Sequence, residues 1–396
     1  MPRMFNKTAK SKKQVFGKAA GKCVQAAAHL GKETHLTRIN SRVLKVASGL
    51  GIAAMLFAST ISTAATSAAA AAPSWCGPKK ITMALTDGFG GNSWRLVTTA
   101  SAQAEAAKCP SVKKLYYADG QGNTSKAISD IKSFVAKGVN AMVVFPDAGK
   151  AILPALRAAY KAGVVTVPYR VFPGGVAGKD YTAFIGTPFA QAGQNWANWA
   201  LKALPKGGNV LFLSGPAGNS QGTDEAAGFW GVLKNHPEFK PIGVQPFEVT
   251  NWDPALAQQV LTADIAANPK IDLILSDFGP TLVGALTAAQ KTGWKIPAIA
   301  ASDGNVLGCF WKSMQSVDAF PLMTVSTQND HARLAIDYAV AKATGGKLPG
   351  TVYPSLPFED SISGKPKPVQ CASNLPGDVY LSAQLSGAAQ AALGKK

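Results

Sequence analysis

Polar and charged side chains recur directly after short apolar runs of this 396-residue sequence, and their types could bind a ligand. Acids and amides bond hydroxyl groups in pairs, and Trp offers a flat apolar face, so the mixture suits a polyhydroxylated ligand. The competing roles are capping of the following helix for each Asp and a core position for Trp94 or Trp252. The residues are Asp87, Asp119, Asp147, Tyr169, Arg170, Asn219, Ser220, Asn251, Trp252, Asp253, Asp277, Ser302, Asp303 and Gly304.

A glycine-rich stretch at 88–93, GFGGNS, follows an apolar run and invites comparison with a dinucleotide-binding fingerprint. The third glycine of that fingerprint is replaced by Ser93, and no acid stands about 20 residues further on at a second strand end. The motif therefore does not support a dinucleotide cofactor, and the sequence predicts no cofactor of any kind.

A second motif, GNSQG at 218–222, matches the GxSxG pattern of α/β-hydrolases. Asp303 and His331 follow Ser220 in the chain order of such a triad. The pattern needs Ser at the strand-to-helix turn, however, and six residues separate Leu213 from Ser220. A secreted hydrolase using Ser220, Asp303 and His331 is kept as the alternative to a non-enzymatic binding protein.

Ten short apolar runs separated by helix-like segments must position these residues. Runs of this kind predict parallel strands buried on both faces, with helices covering both sides of the sheet. Because ten strands exceed what one such lobe usually holds, we expect two lobes. The predicted strands are 80–86, 114–118, 141–145, 164–168, 182–186, 209–213, 243–249, 271–276, 298–301 and 322–326.

The formal charge of +18 does not by itself indicate a nucleic-acid partner, because much of it lies at the amino end. Residues 1–72 contain 11 basic residues and one acid, followed by an apolar run at 43–62 and an Ala-rich tract. This order is typical of an export signal, which we expect to be cleaved near Ala72. A membrane anchor is the competing reading of the apolar run.

Four cysteines follow the predicted leader: Cys76, Cys109, Cys309 and Cys371. An even number in an exported chain indicates disulfides, for which three pairings exist. Cys76 precedes the first predicted strand and Cys109 ends the helix after it, which favours Cys76–Cys109 together with Cys309–Cys371. No zinc-type cysteine or histidine spacing is present, so we predict no metal site.

Between about residues 80 and 347 the sequence resembles the ribose- and galactose-type periplasmic sugar-binding proteins of ABC importers. The resemblance is carried by GNSWR at 91–95, VVTVPYR ending at Arg170, LSGPAGNSQGTDEAAGF at 213–229, the segment 251–277 and ASDG at 301–304. It implies two α/β lobes joined by three crossing strands, with hinges near Gly186, near 327–328 and near 349–357.

The resemblance also implies which residues contact the ligand. Asn92 matches an amide and Trp94 a stacking aromatic, while Arg170 and Asp303 match residues that bind ring hydroxyls. Trp252 matches a second aromatic residue, and Thr327 or Gln328 matches an amide at the hinge. Two positions depart from the family pattern: Glu225 stands where Arg is common, and Phe145 stands where an amide is common. We further expect Asp87, Glu225 and Asp277 in the site.

The sequence thus predicts an α/β protein of two doubly wound parallel-sheet lobes joined by a hinge, of the type 1 periplasmic-binding-protein kind. The expected division is a leader at 1–72, a first lobe at 79–186 plus about 328–350, a second lobe at 187–327 plus about 353–362, and a tail at 363–396. The expected function is capture of a small sugar or polyol in the periplasm by a monomer that delivers it to an ABC permease, with no nucleic-acid partner. Trp94 and Trp252 are expected to sandwich the ring.

Overall fold

Two open β-sheets form where the sequence has its two series of apolar runs. The computed structural model describes residues 71–268 and 270–394, so the predicted leader lies outside the described residues except for its last two positions. The strands of the first sheet are β1 (Ile81–Asp87), β2 (Val112–Asp119), β3 (Ala141–Val144), β4 (Val165–Arg170) and β5 (Ile185–Gly186). They are parallel and lie in the order β2-β1-β3-β4-β5.

The second sheet repeats this order and adds an antiparallel edge. Its strands are β6 (Gly208–Ser214), β7 (Phe239–Ile242), β8 (Glu248–Val249), β9 (Leu273–Ser276), β10 (Ala298–Ser302), β11 (Leu322–Val325) and β12 (Pro357–Asp360). Their order is β12-β11-β10-β9-β6-β7, with β8 also paired to β6 and β12 antiparallel to β11. Each sheet with its helices is called a lobe, and the predicted fold class is confirmed.

Helices cover both faces of the sheets. They are α1 (Ser93–Ala106), α2 (Thr124–Ala136), α3 (Leu153–Lys161), α4 (Phe189–Ala203), α5 (Ser220–Leu233), α6 (Pro254–Ala267), α7 (Leu282–Lys291), α8 (Asn305–Met314), α9 (His331–Thr344) and α10 (Gly387–Leu393). Asn92, Asn123, Asn219 and Asp253 each cap a helix by accepting a backbone N–H. Helix α9 follows a strand of the second sheet but packs into the core of the first lobe through Ala332, Ile336 and Val340.

The structure corrects several predicted elements. The predicted strand at 182–186 is reduced to β5, and that at 243–249 to β8. Strands β7 and β12 were not predicted, because FKPI and PFED contain Pro and charged residues that an edge strand tolerates. In β12 the carboxyl of the buried Glu359 accepts hydrogen bonds from the Thr324 hydroxyl (2.8 Å) and from the backbone N–H of Gln370 (2.9 Å).

The chain crosses between the sheets after β5, after β11 and before β12. Gly186 donates its N–H to the Thr351 carbonyl (2.9 Å), and Tyr353 donates its N–H to the Gly186 carbonyl (3.0 Å). His331 joins these crossings, since its ring bonds the Thr187 hydroxyl and the Ile185 carbonyl and stacks on Tyr353. Burial lowers the pKa of His331 to about 3, so the ring is neutral. These contacts support the proposed division into two hinged lobes.

Both favoured disulfides are present. Cys76–Cys109 links the segment before β1 to the turn that follows α1. Cys309–Cys371 links α8 to the carboxyl-terminal tail, residues 363–394. Before α10 begins, Ser382 and Gln384 of the tail make hydrogen bonds to other segments.

Asn305, at the start of α8, holds the tail on the second lobe. Its side-chain amide donates to the carbonyls of Ala372 (3.0 Å), Leu375 (3.3 Å) and Pro376 (3.0 Å), and its Oδ1 accepts the N–H of Ala372 (2.9 Å). The side chain is 1% exposed, so these bonds are shielded from water.

Replacement Asn305→Ala should lower the free energy of unfolding by about 2–4 kcal/mol, because it leaves several buried tail groups unpaired. Urea unfolding measures the loss. The matched control is Asn209→Ala, which removes a side-chain amide bonded to one carbonyl, that of Lys270, and should cost about 1 kcal/mol or less. Equal losses in both variants would contradict the role assigned to Asn305.

Candidate functional site

A cavity of about 420 Å³ lies between the carboxyl ends of the two sheets. This is the position where ligands bind in open α/β sheets, and the volume is that of a small-molecule site. Seven of the predicted site residues line it: Asn92, Trp94, Arg170, Glu225, Trp252, Asp277 and Gln328. Asp87 and Asp303 are not among the lining residues.

Arg170, the last residue of β4, reaches from the first lobe to the second. Its guanidinium donates to Oε1 of Gln328 (3.1 Å), in the crossing between β11 and α9, and to Oε1 of Gln221 (2.9 Å), on α5. Burial lowers the pKa of Arg170 to about 10, opposed by the nearby Glu225 carboxyl, so the side chain stays charged at neutral pH. A charge held in this way can donate to ligand oxygens while it bridges the lobes.

The backbone is strained at three cavity residues. Arg170, Trp252 and Gln328 have φ angles of 63°, 55° and 61°, in the left-handed region that residues other than glycine rarely adopt. Residues held in this region cluster at functional sites, where the surrounding structure imposes the conformation. The strain therefore supports a binding role for the residues that the sequence analysis selected.

An aromatic wall forms the first-lobe side of the cavity. Phe145 makes edge contacts with Trp94 (ring centroids 6.0 Å apart) and with Tyr169 (5.0 Å). The Arg170 guanidinium lies 4.5 Å from the centroid of the Trp94 ring. A ligand ring stacked on Trp94 is expected at the position where this guanidinium lies. The expected sandwich of a ligand ring between Trp94 and Trp252 therefore stays a prediction.

Arg95 is a cavity residue that the sequence analysis missed. It bonds Asp87 (3.1 Å) and Asp147 (2.7 Å), and its guanidinium lies 3.8 Å from the centroid of the Phe145 ring. Asp87 thus forms an ion pair with Arg95 and does not itself line the cavity. The sequence feature that could have identified Arg95 is its place in the first turn of α1, the helix that follows the strand ending in Asp87.

The second lobe contributes two buried carboxyls. Asp277 accepts the hydroxyl proton of Ser214 (2.6 Å) and the indole N–H of Trp252 (3.0 Å), while burial raises its pKa to about 6. Glu225 is 3% exposed and its Oε2 has no partner among the described residues. Burial also raises the pKa of Glu225 well above its ordinary value.

The Trp252 ring packs against the backbone of Gly215, the residue that follows β6. A Cβ added at Gly215 would overlap the Trp252 ring, so only glycine permits this approach. Together with the Asp277 hydrogen bond, this contact fixes the indole at the cavity wall.

Asp303 has a different role from the one expected. Its Oδ1 accepts the N–H of Thr327 (3.0 Å) and the hydroxyl of Ser382 (2.5 Å), and its Oδ2 accepts the N–H of Ser382 (3.1 Å). Both carboxylate oxygens are thus occupied by the hinge and the tail.

The hydrolase alternative is not supported. His331 bonds Thr187 and the Ile185 carbonyl, and in the described part of the chain neither ring nitrogen bonds Ser220 or Asp303. Ser220 begins α5 at the cavity edge. Within residues 71–268 and 270–394, no group of three His, Cys, Asp or Glu side chains is arranged to hold a metal ion.

Comparison with known proteins relates this chain to solute receptors. A family model described as a periplasmic binding protein domain matches residues 85–347. The galactofuranose-binding protein YtfQ of Escherichia coli K12 is 28% identical over 274 residues, covering 67% of this chain and 81% of that protein. The xylitol-binding protein of Mycolicibacterium smegmatis is 23% identical over 231 residues, covering 58% of this chain and 63% of that protein.

Solved structures share the fold. The Caulobacter myo-inositol binding protein, bound to myo-inositol, superposes with a TM-score of 0.60 at 21% identity, covering 70% of this chain and 93% of that one. A galactofuranose binding protein gives 0.60 at 22% identity, with the same coverage of both chains. Of the helices in the described ranges, none has the length and apolar character that crossing a bilayer requires.

Replacement Asp277→Asn should change how stability depends on pH. The native carboxyl keeps its proton up to about pH 6 while the unfolded one loses it near pH 4, so in the wild type this group makes the free energy of unfolding fall as pH rises across that interval. Relative to wild type, the variant should therefore gain about 2–3 kcal/mol between pH 4 and pH 7.5.

Urea unfolding at the two pH values measures this gain, with Asp378→Asn, an exposed tail carboxyl, as the control. A difference between Asp277→Asn and wild type that is the same at both pH values would show that Asp277 is not held protonated by burial.

Proposed function

This chain belongs to the periplasmic binding protein domain family, and from that premise we propose that it is an exported receptor which captures a small neutral sugar or polyol between its lobes. The observation that carries the proposal is the buried Arg170, which lines the cavity and bonds amides of both the hinge and the second lobe. A ligand bound beside it contacts both lobes at once, and such contacts favour the closed arrangement over the open one.

The charges of the cavity favour a neutral ligand. On the first lobe, Arg95 is already paired with two carboxylates, Arg170 is held by two neutral amides, and Lys150 lies exposed at the cavity. On the second lobe, Glu225 and Asp277 line the cavity and, among the described residues, no basic side chain of that lobe accompanies them. An anionic sugar would bring its charge close to these carboxyls, whereas a neutral polyol offers hydroxyl donors to them.

The relatives named above support the ligand class, since those proteins carry the names of galactofuranose and xylitol. We propose that the receptor acts in the periplasm as a monomer, after removal of the leader, and delivers its ligand to an ABC permease. It performs no covalent chemistry in this proposal: binding and lobe closure are the whole of its action.

A thermal-shift panel tests the proposal with D-galactose, D-ribose, D-xylose, xylitol and myo-inositol as neutral probes and D-galacturonate as the anionic probe. A neutral probe present at about 100 times its Kd should add about 2.7 kcal/mol of stability. D-galacturonate should give a much smaller shift than D-galactose. A panel in which no carbohydrate raises the melting temperature would contradict the proposed function.

Replacement Arg170→Lys keeps the positive charge but loses the two-pronged donor geometry. We expect at least a ten-fold rise in the Kd of the most stabilising neutral probe, measured by isothermal titration calorimetry. The matched control, Arg157→Lys, alters an arginine paired with Asp180 that is not among the cavity residues and should leave that Kd unchanged. An unaltered Kd in Arg170→Lys would remove Arg170 from the binding site.

A further inference from the structure

The tail leaves the second lobe through a firmly held segment. The disulfide Cys309–Cys371 and the Asn305 side chain fix its beginning on α8. Further along, the backbone N–H of Asn305 bonds the Val379 carbonyl (2.8 Å) and that of Val306 bonds the Gly377 carbonyl (2.9 Å). The tail thus belongs to the second lobe as far as Val379.

The next residue, Tyr380, belongs to the first lobe. Its side chain is 0% exposed in the core of that lobe, and its hydroxyl hydrogen-bonds the Ser93 hydroxyl (2.7 Å). The Gln390 side chain bonds both the N–H (2.8 Å) and the carbonyl (2.9 Å) of Tyr380, which fixes α10 beside it. A single peptide bond therefore separates the last anchor on one lobe from the first anchor on the other, so this connection has no slack.

Ser382, two residues later, bonds the hinge itself. Its hydroxyl donates to Asp303 Oδ1 (2.5 Å) and accepts the N–H of Thr327 (3.1 Å), which also donates to Asp303 (3.0 Å). Asp303 is 1% exposed and Thr327 is 3% exposed, so this network is shielded from water and its bonds are strengthened.

The network continues from the hinge to the cavity. The Thr327 carbonyl accepts the indole N–H of Trp94 (3.0 Å), and the Asn329 amide donates to the Trp94 carbonyl (3.1 Å). The residue between them, Gln328, holds Arg170. Ser382 therefore bonds Thr327, which accepts a hydrogen bond from the Trp94 indole and directly precedes Gln328. Gln328 in turn binds Arg170.

We propose that the tail is a fourth connection between the lobes and that Ser382 is a positioning residue, which holds Thr327, and through it Trp94 and Gln328, in the closed geometry. The hydroxyl ties together one residue from the second sheet, one from the hinge and one from the tail. When the lobes open, this network must rearrange because the tail cannot lengthen. The tail thereby biases the lobes toward closure before any ligand binds.

Single-molecule FRET on the ligand-free protein tests this, with dyes on cysteines introduced at Lys132 of α2 and Lys234 at the end of α5, both exposed. In Ser382→Ala the ratio of open to closed molecules should rise about five- to ten-fold, as expected for the loss of one or two buried hydrogen bonds. Ser382→Thr keeps the hydroxyl and should restore the wild-type ratio.

The matched control is Ser386→Ala, which removes the cap of α10 on the same tail and leaves the hinge network intact. A second arm replaces Cys309 and Cys371 by Ser, which frees the start of the tail and should also favour opening, whereas replacing Cys76 and Cys109 should not.

A Ser382→Ala distribution identical to that of wild type, or a loss of thermal stability without a change in that distribution, would overturn the proposal. The experiment contains no ligand, so its failure leaves the proposed function untouched.

Discussion

The buried guanidinium of Arg170 is the interaction on which the arrangement of the two lobes around the cavity depends. A charge that is 7% exposed must be compensated, and here its partners lie on different parts of the molecule: Gln328 at the hinge and Gln221 on the second lobe. The backbone of both Arg170 and Gln328 lies in the left-handed region, a conformation that the surrounding structure must impose. The cavity is therefore complete only when the lobes are close to each other.

Around this arginine the two lobes present different chemistry. The first lobe offers guanidinium donors and the rings of Trp94 and Phe145, and the second offers carboxyls, amides and the indole of Trp252. Burial raises the pKa of Glu225 well above its ordinary value and that of Asp277 to about 6, so both second-lobe carboxyls hold a proton more tightly than exposed carboxyls do. Such a site distinguishes ligands by the placement of their hydroxyl groups, because carboxyls, amides and guanidinium groups each bond hydroxyls in defined directions.

The sequence predicted the parts of the fold that follow from local patterns. Apolar runs located most strands, and the residues that follow them include the cavity residues Arg170, Trp252 and Asp277. Tertiary contacts far apart in sequence decided the rest. Asp303 matched a ligand-binding position, yet Ser382, 79 residues away, occupies both of its oxygens. Arg95 was missed because its burial requires both Asp87 and Asp147, which only the packing of β1 against β3 brings together.

We propose that the closed lobes hold one small, neutral, polyhydroxylated molecule next to Arg170. Native mass spectrometry of the freshly purified full-length chain, followed by mass analysis of whatever is released on unfolding, tests this without choosing a ligand in advance. We expect a single bound molecule per chain, of pentose to hexose size and without a charged group, that is absent from the Arg170→Lys variant. Release of an anionic sugar, an amino acid or a peptide, or equal retention by the variant, would contradict it.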